Sequence, residues 1–176
     1  MRSAETPAET IGVARAAGET LLRAKGFYGI PILQKSFLWD GNGEVDDFGF
    51  GVHALHFLGD DVAIGGGLNA ATWLVSGADV YSGEVEGVLR FYPWHGPLFI
   101  DLTGGFQQAT QNIPPGGTDW NFSFSFGPGL DVPVAKDCSL EIGSSYHHIS
   151  NALGRDNDRN PSQNEARLWF GFSFTM

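Results

Sequence analysis

The sequence predicts an all-β chain that closes as an eight-stranded antiparallel up-and-down membrane β-barrel, with a short N-terminal helical leader before it. Three observations predict this. From residue 47 onward, apolar side chains recur at every second position, the period of a pleated strand with two unlike faces. The alternating segments are divided by turns rich in Gly, Pro, Asn and Asp, as in sandwiches and barrels. One face of these segments carries large aromatic rings, and the other carries mainly Gly, Ser, Asn and a few charges.

Residues 1–25 read as a leader, helical or disordered, and residues 26–176 as the barrel domain. Thr6-Pro7-Ala8-Glu9 has the form of a helix start, with an N-cap, Pro at the first helical position and Glu at N3. The Ala-rich stretch after it is expected to stay helical to about Lys25, where Gly26 stops it. It holds no apolar run of the roughly 7–15 residues that a signal peptide needs. For an envelope protein this implies a truncated or wrongly assigned start. No window of about 18 consecutive apolar residues exists, so a transmembrane helix is not expected.

The first strand is expected near residues 27–38, weakened by Pro31, which cannot donate to a ladder. Phe48, Phe50, Val52 and Ala54 share one parity in the second. After the turn at Gly59-Asp60-Asp61, the third carries Ile64, Leu68, Ala70 and Leu74. Tyr81, Val85, Leu89 and Phe91 oppose Ser82, Glu84, Glu86 and Arg90 in the fourth. Leu98, Ile100 and Leu102 alternate with Phe99, Asp101 and Thr103 in the fifth. Beyond Pro114-Pro115-Gly116-Gly117, the sixth shows Trp120, Phe122, Phe124 and Phe126 against Asn121, Ser123, Ser125 and Gly127. The seventh sets Leu140, Ile142, Ser144 and Tyr146 against Ser139, Glu141, Gly143 and Ser145. The last carries Leu168, Phe170, Phe172, Phe174 and Met176.

Alternation alone does not say which face is outside. A soluble, lipocalin-like binding barrel alternates too, with the aromatic face turned inward around a ligand. Volume favours the membrane form. An eight-stranded barrel is just wide enough to be filled by side chains. Rows of Phe and Trp from most strands would overfill it. Small residues with Glu84, Glu86, Arg90, Asp101, Glu141 and Arg167 would fit.

Composition closes several other routes. The chain has 20 acidic and 10 basic residues, a formal net charge of −10. No Lys/Arg cluster is available to neutralise phosphates, which argues against a nucleic-acid partner. The one cysteine, Cys138, cannot form an intrachain disulfide, and no Cys/His set has zinc spacing, so no metal or cofactor is expected. His53 and His56 belong to opposite faces. Gly65-Gly66-Gly67 sits inside a strand, which marks close packing or a bulge rather than a phosphate loop. Tyr92, Trp94 and Trp120 read as residues of an interfacial aromatic girdle.

One segment carries chemistry: Tyr146-His147-His148-Ile149-Ser150-Asn151-Ala152. On a strand, His148 and Ser150 point to the same face, with Cα atoms roughly 6.5–7 Å apart. That is the minimum geometry of a base-activated serine. They share parity with Leu140, Ile142 and Tyr146, which puts them on the apolar outer face, with His147 directed inside. Polar groups on a lipid-facing wall are costly. The plain structural alternative is a position at the rim, in the headgroup layer.

His148-Ile149-Ser150-Asn151-Ala152, followed by Asn160-Pro161 and a terminal aromatic strand, resembles the lipid A 3-O-deacylase (acyloxyacyl hydrolase) family of outer-membrane barrels. The motif likeness covers residues 146–164; the rest agrees only in size, strand number and texture. The resemblance implies a serine esterase of the bacterial outer membrane that removes the 3-linked hydroxyacyl chain of lipid A, without cofactor. Lipopolysaccharide would be its substrate, outer-membrane lipids its surroundings, and a homodimer is allowed. It implies Ser150 as nucleophile, His148 as general base and Asn151 as oxyanion donor. The residue orienting the base falls on Asn164, with Glu165 as the alternative; Asn164 has the outward parity and Glu165 does not. Ser162 stands where the family usually has Gly, and Leu153-Gly154 where a Gly-Leu order is common. A catalytically silent barrel of the same fold is the competing reading.

Overall fold

The computed structural model describes residues 16–32, 45–153 and 157–176. Eight strands follow in order: β1 (Thr20–Pro31), β2 (Asp47–Gly59), β3 (Val62–Val75), β4 (Ala78–Phe91), β5 (Leu98–Ile113), β6 (Thr118–Ala135), β7 (Cys138–Ser150) and β8 (Gln163–Thr175). Each pairs antiparallel with its sequence neighbours, and β1 pairs with β8 to close the barrel. Closure leaves no unpaired strand edge, which a wall in contact with lipid requires.

The outward faces follow the expected parity. Phe50, Leu68, Val85, Phe122, Ile142 and Phe170 are each at least half exposed, one from each of six strands. A soluble barrel needs this face inward, so that alternative fails. Inside, Arg90 binds Asp101 through two bonds of 2.8 and 3.0 Å and Glu141 through two of 2.7 and 2.9 Å. Arg23 reaches the same Asp101 at 2.5 Å. Higher in the lumen, Arg167 pairs with Asp47 at 2.7 Å and with Glu165 at 3.1 Å. All six charged residues expected inside are buried there.

The interior also takes aromatic rings, because glycines face them. Phe57, Tyr92, Phe99 and Trp169 stack in sequence, with centroids 6.2, 5.6 and 5.9 Å apart. A Cβ on Gly129 would run into the Phe99 ring, and one on Gly143 into the Trp169 indole. Gly65 and Gly67 mark close approaches of the same kind, to the backbone at Ala54 and the His53 ring. Tyr92 is therefore not a girdle residue: it is buried, and its hydroxyl meets Arg90 and Asp131. Trp94 is 69% exposed, in keeping with a girdle position.

The expected helix to Lys25 is corrected in its last part. Residues Thr20 to Lys25 belong to β1, so the barrel starts before residue 26. Leu22 and Ala24 point out and Leu21 and Arg23 point in. The strand wins because it completes ladders with both β2 and β8, which a helix would leave open. The helix start at Thr6 and the far end of the strand expected over 27–38 lie outside the described residues; β1 ends at Pro31.

Candidate active site on the outer wall

The start of β1 and the end of β8 meet at one rim, where Met176 N–H donates to the Thr20 carbonyl at 2.9 Å. The candidate site lies at the opposite rim, where β7 ends and β8 begins. Two ladders place it. On one side of β7, Phe124 stands opposite His148 and Phe122 opposite Ser150. On the other side, Asn164 stands directly opposite His148.

His148 Nδ1 lies 2.7 Å from Asn164 Oδ1. An amide oxygen only accepts, so Nδ1 carries the proton and Nε2 is left as the accepting nitrogen. That is the tautomer a general base requires. The Tyr146 hydroxyl donates to the same Asn164 oxygen at 2.6 Å. Asn164 is fully buried and His148 nearly so, although both have outward parity; Tyr146 and Ser150 are half-buried. Burial shields a polar pair that would otherwise be costly against lipid.

Glu165 faces the lumen, bonded to Arg167, and is not on the wall that carries His148. His147 is buried inside, as its parity demands. Asn151, expected as the oxyanion donor, has its own polar groups engaged in the loop. Its side-chain amide donates to Thr118 Oγ1 at 3.1 Å and to the Arg159 carbonyl at 2.6 Å. Its oxygen accepts from Leu153 N–H, and its own N–H donates to Asn160 Oδ1. These bonds hold the β7–β8 connection against the β5–β6 turn and direct the Asn151 N–H groups into the loop. Ser162 has φ of +40° and Ala152 of +57°, both in the left-handed region that favours glycine. At Ser162 this gives a physical reason for the glycine that the family resemblance would put there. Tyr146 is legible in the sequence only as a member of the outer face; nothing in sequence spacing joins it to Asn164.

Among the described residues, no group of three or more His, Cys, Asp or Glu is arranged to hold a metal ion. Cys138 is half-buried on β7.

No protein-family model matches the sequence, and comparison with curated proteins finds no relative. The fold is matched by solved structures. Neisserial surface protein A superposes with a TM-score of 0.58 at 11% identity, over 90% of this chain and 97% of that one. The outer membrane protein OprG from Pseudomonas aeruginosa gives 0.55 at 12%, over 94% and 99%. The N-terminal β-barrel domain of Pseudomonas aeruginosa OprF gives 0.53 at 14%, over 91% and 98%. With its apolar outer wall, charged interior and closed antiparallel sheet, the chain is by fold a small eight-stranded barrel of the outer-membrane type, in accord with the bacterial outer-membrane location expected from sequence.

Proposed function

We propose that the chain is a serine esterase that hydrolyses the 3-linked hydroxyacyl ester of lipid A from within the outer membrane. One observation carries the reading: on the lipid-facing wall, Asn164 holds His148 in the Nδ1–H tautomer, two residues along the strand from a half-buried serine. The resemblance of residues 146–164 to the lipid A deacylase motif supplies the substrate class.

Ser150 Oγ attacks the ester carbonyl, and His148 Nε2 removes the hydroxyl proton. The tetrahedral adduct collapses as His148 returns that proton to the departing sugar oxygen, leaving the acyl group on Ser150. Water, deprotonated by the same imidazole, attacks the acyl-enzyme, and the imidazolium returns the proton to Ser150 Oγ as the fatty acid leaves. Asn151 shapes the turn behind Ser150. A lipid substrate explains why such a group stands on the outside of a barrel: its ester bond lies in the headgroup layer, at the depth of a rim.

Mass spectrometry of lipid A from cells expressing wild type or Ser150→Ala tests the proposal. The expected result is loss of one hydroxyacyl chain with wild type alone. Unchanged lipid A in cells that carry the folded wild-type barrel would sink it and leave a catalytically silent barrel.

A further inference from the structure

We propose that Tyr146 is a positioning residue, which locks the Asn164 amide with its oxygen toward His148 and so sets the imidazole tautomer. The inference rests on the esterase reading of the site.

The need for such a residue comes from having an amide at this position. A carboxylate presents an oxygen whichever way it is turned. An amide turned by half a rotation presents Nδ2 in place of Oδ1. With Oδ1 toward the ring, His148 carries its proton on Nδ1 and offers the Nε2 lone pair. With Nδ2 toward the ring, Nδ1 must accept, the proton moves to Nε2, and the ring no longer serves as a base toward Ser150. A His–Asn pair alone satisfies either arrangement, because the imidazole changes tautomer to match.

Tyr146 favours one of the two arrangements. Its hydroxyl and His148 Nδ1 converge on the one Asn164 oxygen, at 2.6 and 2.7 Å, and together fill both of its lone pairs. The 2.6 Å separation is that of an O–H···O bond and is short for N–H···O. Turning the amide would take from the phenolic proton the buried acceptor that now receives it.

The sheet register explains how the phenol reaches Asn164. His148 is directly opposite Asn164, and Tyr146 is directly opposite Ala166. Tyr146 and Asn164 are therefore diagonal neighbours, a separation an aromatic side chain spans. The Ala166 methyl leaves room for the ring to cross. From the other side Phe126, opposite Tyr146 on β6, packs on the phenol ring with centroids 5.5 Å apart and planes at 40°. The ring is thus held between two strands while its hydroxyl meets the amide.

The test uses the full chain in lipid nanodiscs, with ¹⁵N-labelled histidine. The tautomer of His148 is read by NMR for wild type, Tyr146→Phe, Asn164→Asp and the double variant. Hydrolysis of purified lipid A is followed for the same four proteins. Wild type is expected to show Nδ1–H. In Tyr146→Phe the Nε2–H form appears, and kcat falls about two- to tenfold according to how far the population moves, with KM held. In the Asn164→Asp background the added Tyr146→Phe change alters neither quantity, because a carboxylate cannot be turned the wrong way. A His148 that keeps the single Nδ1–H form in Tyr146→Phe would overturn the proposal, as would an equal loss in both backgrounds. A wild type without esterase activity, whose His148 still changes tautomer in Tyr146→Phe, would refute the esterase reading and leave the positioning role standing.

Discussion

Arg90 spans the barrel lumen to Glu141, its guanidinium fork meeting both carboxylate oxygens at 2.7 and 2.9 Å while the same side chain holds Asp101. All three are buried, and Arg90 lies over the Phe99 ring with 3.6 Å to the centroid. Breaking a buried ion pair by removing one partner leaves an uncompensated charge and costs about 3–5 kcal/mol. Arg90→Ala is therefore expected to lower the stability of the folded barrel by about that amount, read from urea unfolding in lipid vesicles. Removing one pair of opposite charges together, as in Arg90→Met with Glu141→Gln, leaves Asp101 paired with Arg23 and should cost much less than the single change. Equal losses would show that packing, and not the unpaired charges, sets the cost.

On the proposed esterase reading, replacing Asn164 by Asp should raise ester hydrolysis. The amide fixes the tautomer but gives no charge to set against the imidazolium formed in the transition state. A charge-assisted bond exceeds a neutral one by about 1 kcal/mol, which is roughly five- to tenfold in rate. Asn164→Ala should lower the rate by at least as much. Initial rates with purified protein check both, and an unchanged rate in Asn164→Ala would remove Asn164 from the site.

Ala152 offers a clean test of loop strain. It is exposed and holds φ at +57°. Left-handed backbone costs a residue with a Cβ about 1–2 kcal/mol, partly offset by the greater freedom of glycine when unfolded. Ala152→Gly is expected to gain about 0.5–1 kcal/mol in the same unfolding assay. A loss would mean that the strain is relieved elsewhere.

The outer wall predicts a response that depends on position. Phe170 is 64% exposed in mid-strand, whereas Arg167 points into the lumen. Phe170→Arg should destabilise the barrel in a bilayer by about 2–4 kcal/mol, the cost of a lipid-facing cation near the midplane. A negligible effect in the bilayer would contradict the membrane-facing assignment of this wall.

Much of the site is legible in the order of residues along the chain. Parity alone assigns His148 and Ser150 to the outer face and His147 to the lumen, and it separates Asn164 from Glu165. It does so because a strand repeats every two residues and a bilayer penalises the wrong face. What parity does not contain is contact across the sheet. The Tyr146–Asn164 bond depends on which residues stand opposite, and therefore on the β7–β8 register and the small side chain at Ala166. The bonds of Asn151 to Thr118 and Arg159 depend on two connections that come together only when the rim is assembled.

By itself the sequence determined the wall: period-two segments, an apolar outside, a charged inside, and a His–Ser pair on the face that meets lipid. The tertiary structure alone decided where that wall begins and which donors are committed. Residues Thr20 to Lys25 carry Leu, Arg, Ala and Lys, good helix formers, and local propensity reads them as a helix. They form a strand because β2 and β8 each have an edge to be paired, and the two ladders outweigh propensity. Tyr92, just past the end of β4, shares the inward parity of Arg90, and closure supplies what its hydroxyl meets in the lumen, Arg90 and Asp131. Local pattern sets which way a side chain points; only closure of the barrel sets what it meets.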